Sequence, residues 1–97
     1  MKPYLELSDI FGEPSLEEKM QSLANRLKIY RKRMSLTQLQ LADRSGVSYG
    51  SVKRFERTGE ISLWGLWRIC IALGCDDQLD SLFTAPKLTA EDIRNGR

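Results

Sequence analysis

The feature that most restricts this chain is the stretch from Gln38 to Gly59, in which two short amphipathic runs meet at a single glycine. Leu41 and Ala42 give the first run an apolar side, Val52 and Phe55 do the same for the second, and Val47 lies beside the junction. Gly46 adopts a positive φ at little cost, so it stops the first helix. Ser48 is a natural N-cap for the second, which leaves Tyr49, Gly50, Ser51, Lys53, Arg54 and Arg57 on or near its outward side. The pair reads as two short helices hinged at Gly46.

A capped helix that carries three cations and small residues at its tip is suited to the DNA major groove, and the two-helix unit is a helix-turn-helix. The register is Gln38, Leu41-Ala42, Gly46-Val47-Ser48, Val52, Glu56 and Gly59, followed by Ile-Ser-Leu and a further helix ending Ala72-Leu73-Gly74. It resembles the helix-turn-helix regulators of the lambda Cro and repressor type, the XRE family, over roughly Leu23 to Phe83. The resemblance implies an all-α, compact five-helix lambda-repressor-like DNA-binding domain. It also implies a sequence-specific transcriptional regulator that binds double-stranded DNA, commonly as a homodimeric repressor on a palindromic operator.

Charge is distributed to match. Residues 1–20 hold two cations and five acids, residues 24–57 nine cations and two acids, and residues 58–97 four and six, so a net charge of +2 conceals a central segment of +7. Such a segment beside the motif is the footprint of a phosphate-binding face, because neutralised phosphates release condensed counterions. At 97 residues the chain supports one core. No apolar run reaches the roughly 20 residues of a membrane span, and the acidic, Pro-containing start does not read as a signal peptide, so a cytoplasmic protein is expected. With no His and only Cys70 and Cys75, neither a metal site nor a cofactor is expected. A disulfide is disfavoured in a reducing compartment.

Residues 1–14 contain Pro3, Gly12 and Pro14 and read as an N-terminal arm, residues 15–83 as the DNA-binding domain, and residues 84–97, poor in apolar side chains, as a flexible tail. Ser15 can cap a first long helix in which Leu16, Met20, Leu23, Leu27, Tyr30 and Met34 draw one apolar stripe. Thr37 caps the second helix, and Ser62 the fourth, with Leu63, Leu66, Trp67, Cys70 and Leu73 inward. Asp76, Asp77, Leu79, Leu82 and Phe83 read as a short closing helix. Trp64 and Ile71, seven residues apart, fall on the outward side of the fourth helix and are candidate interface residues.

Carried over by position, the family's pattern gives Tyr49, Gly50, Ser51 and Arg54 base-edge roles, with Arg54 the leading candidate to read a guanine at O6 and N7. Ser48, Lys53 and Arg57 receive phosphate roles, as do Gln38 and the first-helix cations Arg31 and Arg33. Gly50 departs from the polar residue often found at its position. Glu56 is acidic next to DNA, and its role is read as structural, in pairing with an Arg or capping the following turn.

The phrase Arg-Phe-Glu-Arg-Thr-Gly-Glu-Ile-Ser-Leu, with Ala-Leu-Gly-Cys and Leu-x-x-Leu-Phe, is also similar to HipB-like antitoxins, which accompany a HipA-type kinase toxin. A plain autoregulator or phage-type repressor stays open beside it. The competing class is a protein-interaction adaptor on the same fold, working through Trp64 and Ile71. An enzyme is not expected, since there is no His, no phosphate-binding Gly loop and no paired carboxylates on a predicted cleft.

Overall fold

Four of the five helices begin at a hydroxyl side chain that stands one residue ahead of the first turn. The computed structural model describes residues 12–84, and over these it is all-helical. Helix α1 spans Leu16–Arg33, with Ser15 Oγ accepting from the Glu18 amide at 3.1 Å. Helix α2 spans Gln38–Ser45 and opens on a reciprocal box: Thr37 Oγ1 accepts from the Gln40 amide (3.1 Å) and Gln40 Oε1 from the Thr37 amide (2.9 Å). Helices α3, Tyr49–Thr58, and α4, Leu63–Leu73, are capped by Ser48 and Ser62, and each cap contributes about 1 kcal/mol. Helix α5, Asp76–Asp80, has no side-chain cap. It is tied down instead by Gln78, which donates to the Tyr30 hydroxyl of α1, and by Asp80, which accepts from Trp67 of α4.

Helix α3 packs against both α1 and α2, and α4 against α1, α2 and α5. Phe55, Leu41, Ile69 and Val52 are the largest fully buried apolar side chains. The core differs from the sequence reading on two helices. On α1 the buried face is Ala24, Leu27 and Arg31, while Leu16, Leu23, Tyr30 and Met34 of the expected stripe are exposed. The physical reason is close approach: the small Ala24 lets α1 lie near the end of α3, and the larger side chains flank that contact. Leu23 and Tyr30 line an apolar groove of about 420 Å³ with Ile29, Leu66, Leu79 and Leu82. On α4 the buried residues are Gly65, Ile69, Cys70 and Leu73; Leu63 is exposed and Trp67 half-buried. Phe83, expected to help close the domain, is almost fully exposed, so that role falls to the half-buried Leu79.

Both cysteines are free and buried. Burial pushes the Cys70 thiol up to about 12, with the neighbouring Cys75 and Asp76 adding to the effect. Such a thiol is a small hydrophobe with little thiolate to react. No helix among the described residues is long and apolar enough to cross a membrane, and no group of His, Cys, Asp and Glu among them is placed to hold a metal ion. The arm expected over residues 1–14 and the tail over 84–97 lie, except for residues 12–14 and 84, outside the described residues.

The end of α3 depends on Gly59. Its φ is +82°, and a Cβ there would stand 2.5 Å from the Met20 carbonyl carbon of α1. Gly74, at φ +74°, has nothing within 4 Å of the same position. Gly74→Ala should therefore cost about 1 kcal/mol of backbone strain, and Gly59→Ala roughly 3 kcal/mol or more from strain plus overpacking. Urea unfolding of the two variants side by side measures the difference; equal losses would show that α1 yields at Met20.

Candidate nucleic-acid interface

Helix α3 buries Val52, Phe55 and Glu56 and exposes Tyr49, Gly50, Ser51, Lys53, Arg54 and Arg57. Its entry is a tight turn in which Gly46 takes φ +76° and the buried Ser45 Oγ accepts from the Val47 amide at 3.1 Å. Arg68 of α4 straps this turn, donating from Nε to the Ser45 carbonyl at 2.7 Å. The sequence reading gave Arg68 no role.

Beneath α3 lies a buried ion pair. Arg31 donates from Nε to Glu56 Oε2 (2.6 Å), from Nη2 to Glu56 Oε1 (2.9 Å) and from Nη1 to the Leu36 carbonyl (2.7 Å). Gln38 adds a bond from Nε2 to Glu56 Oε1 at 2.9 Å, and Gln21 donates to the Glu56 carbonyl, also at 2.9 Å. Burial works against the Glu56 charge. Hydrogen bonds from Arg31 and Gln38, with the positive charges of Arg31 and Lys28, outweigh it and hold the carboxyl below its ordinary value of 4.5. No buried side-chain nitrogen or oxygen among the described residues lacks a partner.

This network corrects one site assignment. Arg31, read from the sequence as a phosphate ligand, is buried with three of its nitrogens engaged inside the protein, so it does not face a ligand. Gln38 stands where expected at the start of α2, and its amide reaches inward to α3. Glu56 has the structural pairing with an Arg that the sequence reading offered.

On the outside, Lys28, Lys53 and Arg57 surround a cleft of about 480 Å³ that is also lined by Gln38, Gly50 and Arg54. Gly50 has open space where a side chain would stand, and it leaves this cleft unobstructed. Lys28 was passed over among the α1 cations although it stands one helical turn before Arg31, on the side that meets α3. Arg33, two residues after Arg31 and so about 200° around the helix, does not line the cleft. Lys53 lies over the Tyr49 ring at 4.5 Å from its centre. Ser48 donates its hydroxyl to Ser51 Oγ at 2.8 Å, which leaves the Ser51 hydroxyl as the outward donor.

A second cleft, about 530 Å³, lies on the other flank of α3, lined by Ser48, Ser51, Arg54, Glu60 and Trp64 among others. Arg54 lines both clefts and forms an exposed ion pair with Glu60. Trp64 and Ile71 are 62% and 54% exposed, and the Arg68 guanidinium lies over the Trp64 ring.

A helix-turn-helix family model matches residues 27–78, more than half of the chain. The chain belongs to this helix-turn-helix family, of the XRE type. It is a DNA-binding transcriptional regulator, and α3 is the second helix of its helix-turn-helix motif. No curated protein and no solved structure matches the chain.

Helix α3 of this helix-turn-helix protein is held by Glu56, whose lowered pKa means that its contribution to stability is complete above 4.5 and is lost as pH falls through the folded value. Glu56→Ala leaves Arg31 buried without its partner and should cost about 3 to 5 kcal/mol. Arg31→Met combined with Glu56→Leu should recover much of that loss, because no buried charge is then left alone. Urea unfolding at neutral pH reads all three stabilities, and a double variant no better than Glu56→Ala would contradict this account.

Proposed function

We propose that the protein is a homodimeric, sequence-specific repressor that inserts α3 into the major groove of a two-fold operator. The observation that carries this reading is the cationic cleft of Lys28, Lys53 and Arg57 beside a rigidly held recognition helix. In it, Lys28, Lys53 and Arg57 contact phosphates, with Gln38 and Ser48 at the helix entries beside them. Tyr49, Ser51 and Arg54 meet base edges, and Gly50 lets the backbone come close. One domain of this size reads only a few base pairs, and pairing two copies supplies the second half-site. The exposed Trp64 and Ile71 support that pairing, since leaving a large apolar side chain in water forgoes about 1.5 to 3 kcal/mol of burial. Service as the antitoxin of a HipA-type kinase rests on the sequence phrase from Arg54 to Leu63 with Ala72-Leu73-Gly74-Cys75 and the Leu79 to Phe83 stretch, and purification of the protein in complex with a kinase encoded beside it is the observation that would support it.

If the cleft holds phosphates, operator affinity falls steeply with salt, and Lys28→Ala reduces the slope of log affinity against log salt by about one. Arg33→Ala should leave that slope unchanged, because Arg33 does not line the cleft. Fluorescence anisotropy on one operator across a salt series checks both, and an Arg33 variant that loses as much slope as the Lys28 variant would move the phosphate face around α1.

Trp64→Glu combined with Ile71→Lys should convert the dimer to monomer and weaken operator binding together, with helicity retained in circular dichroism. Sedimentation measures the mass. A variant that keeps both dimer and affinity would place the dimer contact elsewhere, and one that keeps affinity for DNA but loses a protein partner would favour the adaptor reading.

A further inference from the structure

The end of the recognition helix is closed by a ring of hydrogen bonds. Thr58 Oγ1 donates to the Arg54 carbonyl at 2.8 Å and accepts from the Glu60 amide at 3.1 Å. Glu60 Oε2 then accepts from Arg54 at both Nε (3.0 Å) and Nη2 (2.5 Å). Gly59, between them, takes the left-handed conformation and turns the chain so that residue 60 comes back beside residue 54. The ring thus runs from the Arg54 backbone through Thr58 and Glu60 to the Arg54 side chain.

This pair is not an element of stability. The two side chains are 64% and 52% exposed, and an ion pair so open to water adds little to folding. Its geometry has a different consequence. A guanidinium offers two donor edges, Nε with Nη2 and Nη1 with Nη2. Glu60 takes the first with a single oxygen, which leaves the second unoccupied by it, and that edge supplies the two parallel donors that match guanine O6 and N7. Arg54 stands between the two clefts that flank α3, so its orientation decides what it meets in the groove.

We propose that Glu60 is a positioning residue for base recognition, holding Arg54 by its Nε–Nη2 edge so that the Nη1–Nη2 edge addresses one guanine. The inference rests on the reading of α3 as the sequence-reading helix. Without Glu60 the Arg54 side chain samples several rotamers, and contacts with phosphates and other bases compete with the guanine.

The experiment selects duplexes from a random library with the wild-type protein, then compares Arg54→Ala, Glu60→Ala and Glu60→Gln on duplexes that differ at single base pairs. Arg54→Ala identifies the base pair that Arg54 reads. At that pair Glu60→Ala should lose roughly tenfold in discrimination. Glu60→Gln should keep most of it, since its amide oxygen accepts the same hydrogen bonds. Both variants remove a negative charge next to phosphates, so both tighten binding to all sequences, and the ratio between matched and mismatched duplexes removes that effect. Circular dichroism checks the fold, which the exposed position of Glu60 should leave intact. Equal behaviour of the two Glu60 variants, with discrimination kept by both or lost by both, would overturn the inference while leaving the DNA-binding reading in place. So would an Arg54→Ala variant with unchanged preference. A wild-type protein that selects no sequence at all would overturn that reading and the inference together.

Discussion

Helix α3 is fixed in place by one buried ion pair. Glu56 Oε1 accepts from α1 through Arg31 and from α2 through Gln38, and Oε2 accepts from Arg31 again, so one carboxylate on α3 ties three helices together. The remaining arm of Arg31 binds the Leu36 carbonyl and holds the connection between α1 and α2. Removing two charges from water is costly, and an apolar set of the same volume would serve stability as well or better. What the charged set supplies is direction. Two guanidinium bonds to two carboxylate oxygens fix the rotation of α3 about its axis, which decides whether Tyr49, Ser51 and Arg54 face outward together.

The local features of this fold were legible in the sequence because local chemistry produces them. Ser15, Thr37, Ser48 and Ser62 cap the helices they were expected to cap, and Gly46, Gly59 and Gly74 end the helices at positive φ. Features that depend on a partner distant in sequence were not legible. Arg31 is a cation on a basic helix, and only the fold puts Glu56, 25 residues later, within reach. Spacing of large apolar residues drew the α1 stripe through Leu23 and Tyr30, whereas packing selected the small Ala24 next to them. Periodicity weighs size, but helices that approach closely favour its absence. Lys28 was missed for a related reason: its place in the cleft follows from the rotation of α1, which the buried Arg31 sets.

The two clefts make the surface of α3 asymmetric. One is rimmed by Lys28, Lys53 and Arg57, and the other by serines, Glu60 and Trp64. If α3 enters DNA as proposed, phosphate attraction on the first side and an aromatic wall on the second, where Glu60 is paired with Arg54, would bias how the helix meets a duplex. The strap from Arg68 to Ser45 keeps the second wall registered on the turn that starts α3.

Net charge along the chain overstates what such a face can neutralise. Of the nine cations between residues 24 and 57, Arg31 is cancelled internally by Glu56, and Arg54 is paired with Glu60 from outside the segment. Arg33 does not line the cleft. The cleft itself has Lys28, Lys53 and Arg57 as cations with no ion-pair partner among the described residues. Three phosphates neutralised by one copy correspond to a salt slope of only about −2.7, a modest electrostatic contribution. Two copies on one operator double it to about −5.4. In the proposed dimer, pairing would therefore serve affinity as well as specificity: a face with three cleft cations gains a second set of phosphate contacts when a second half-site is held beside the first.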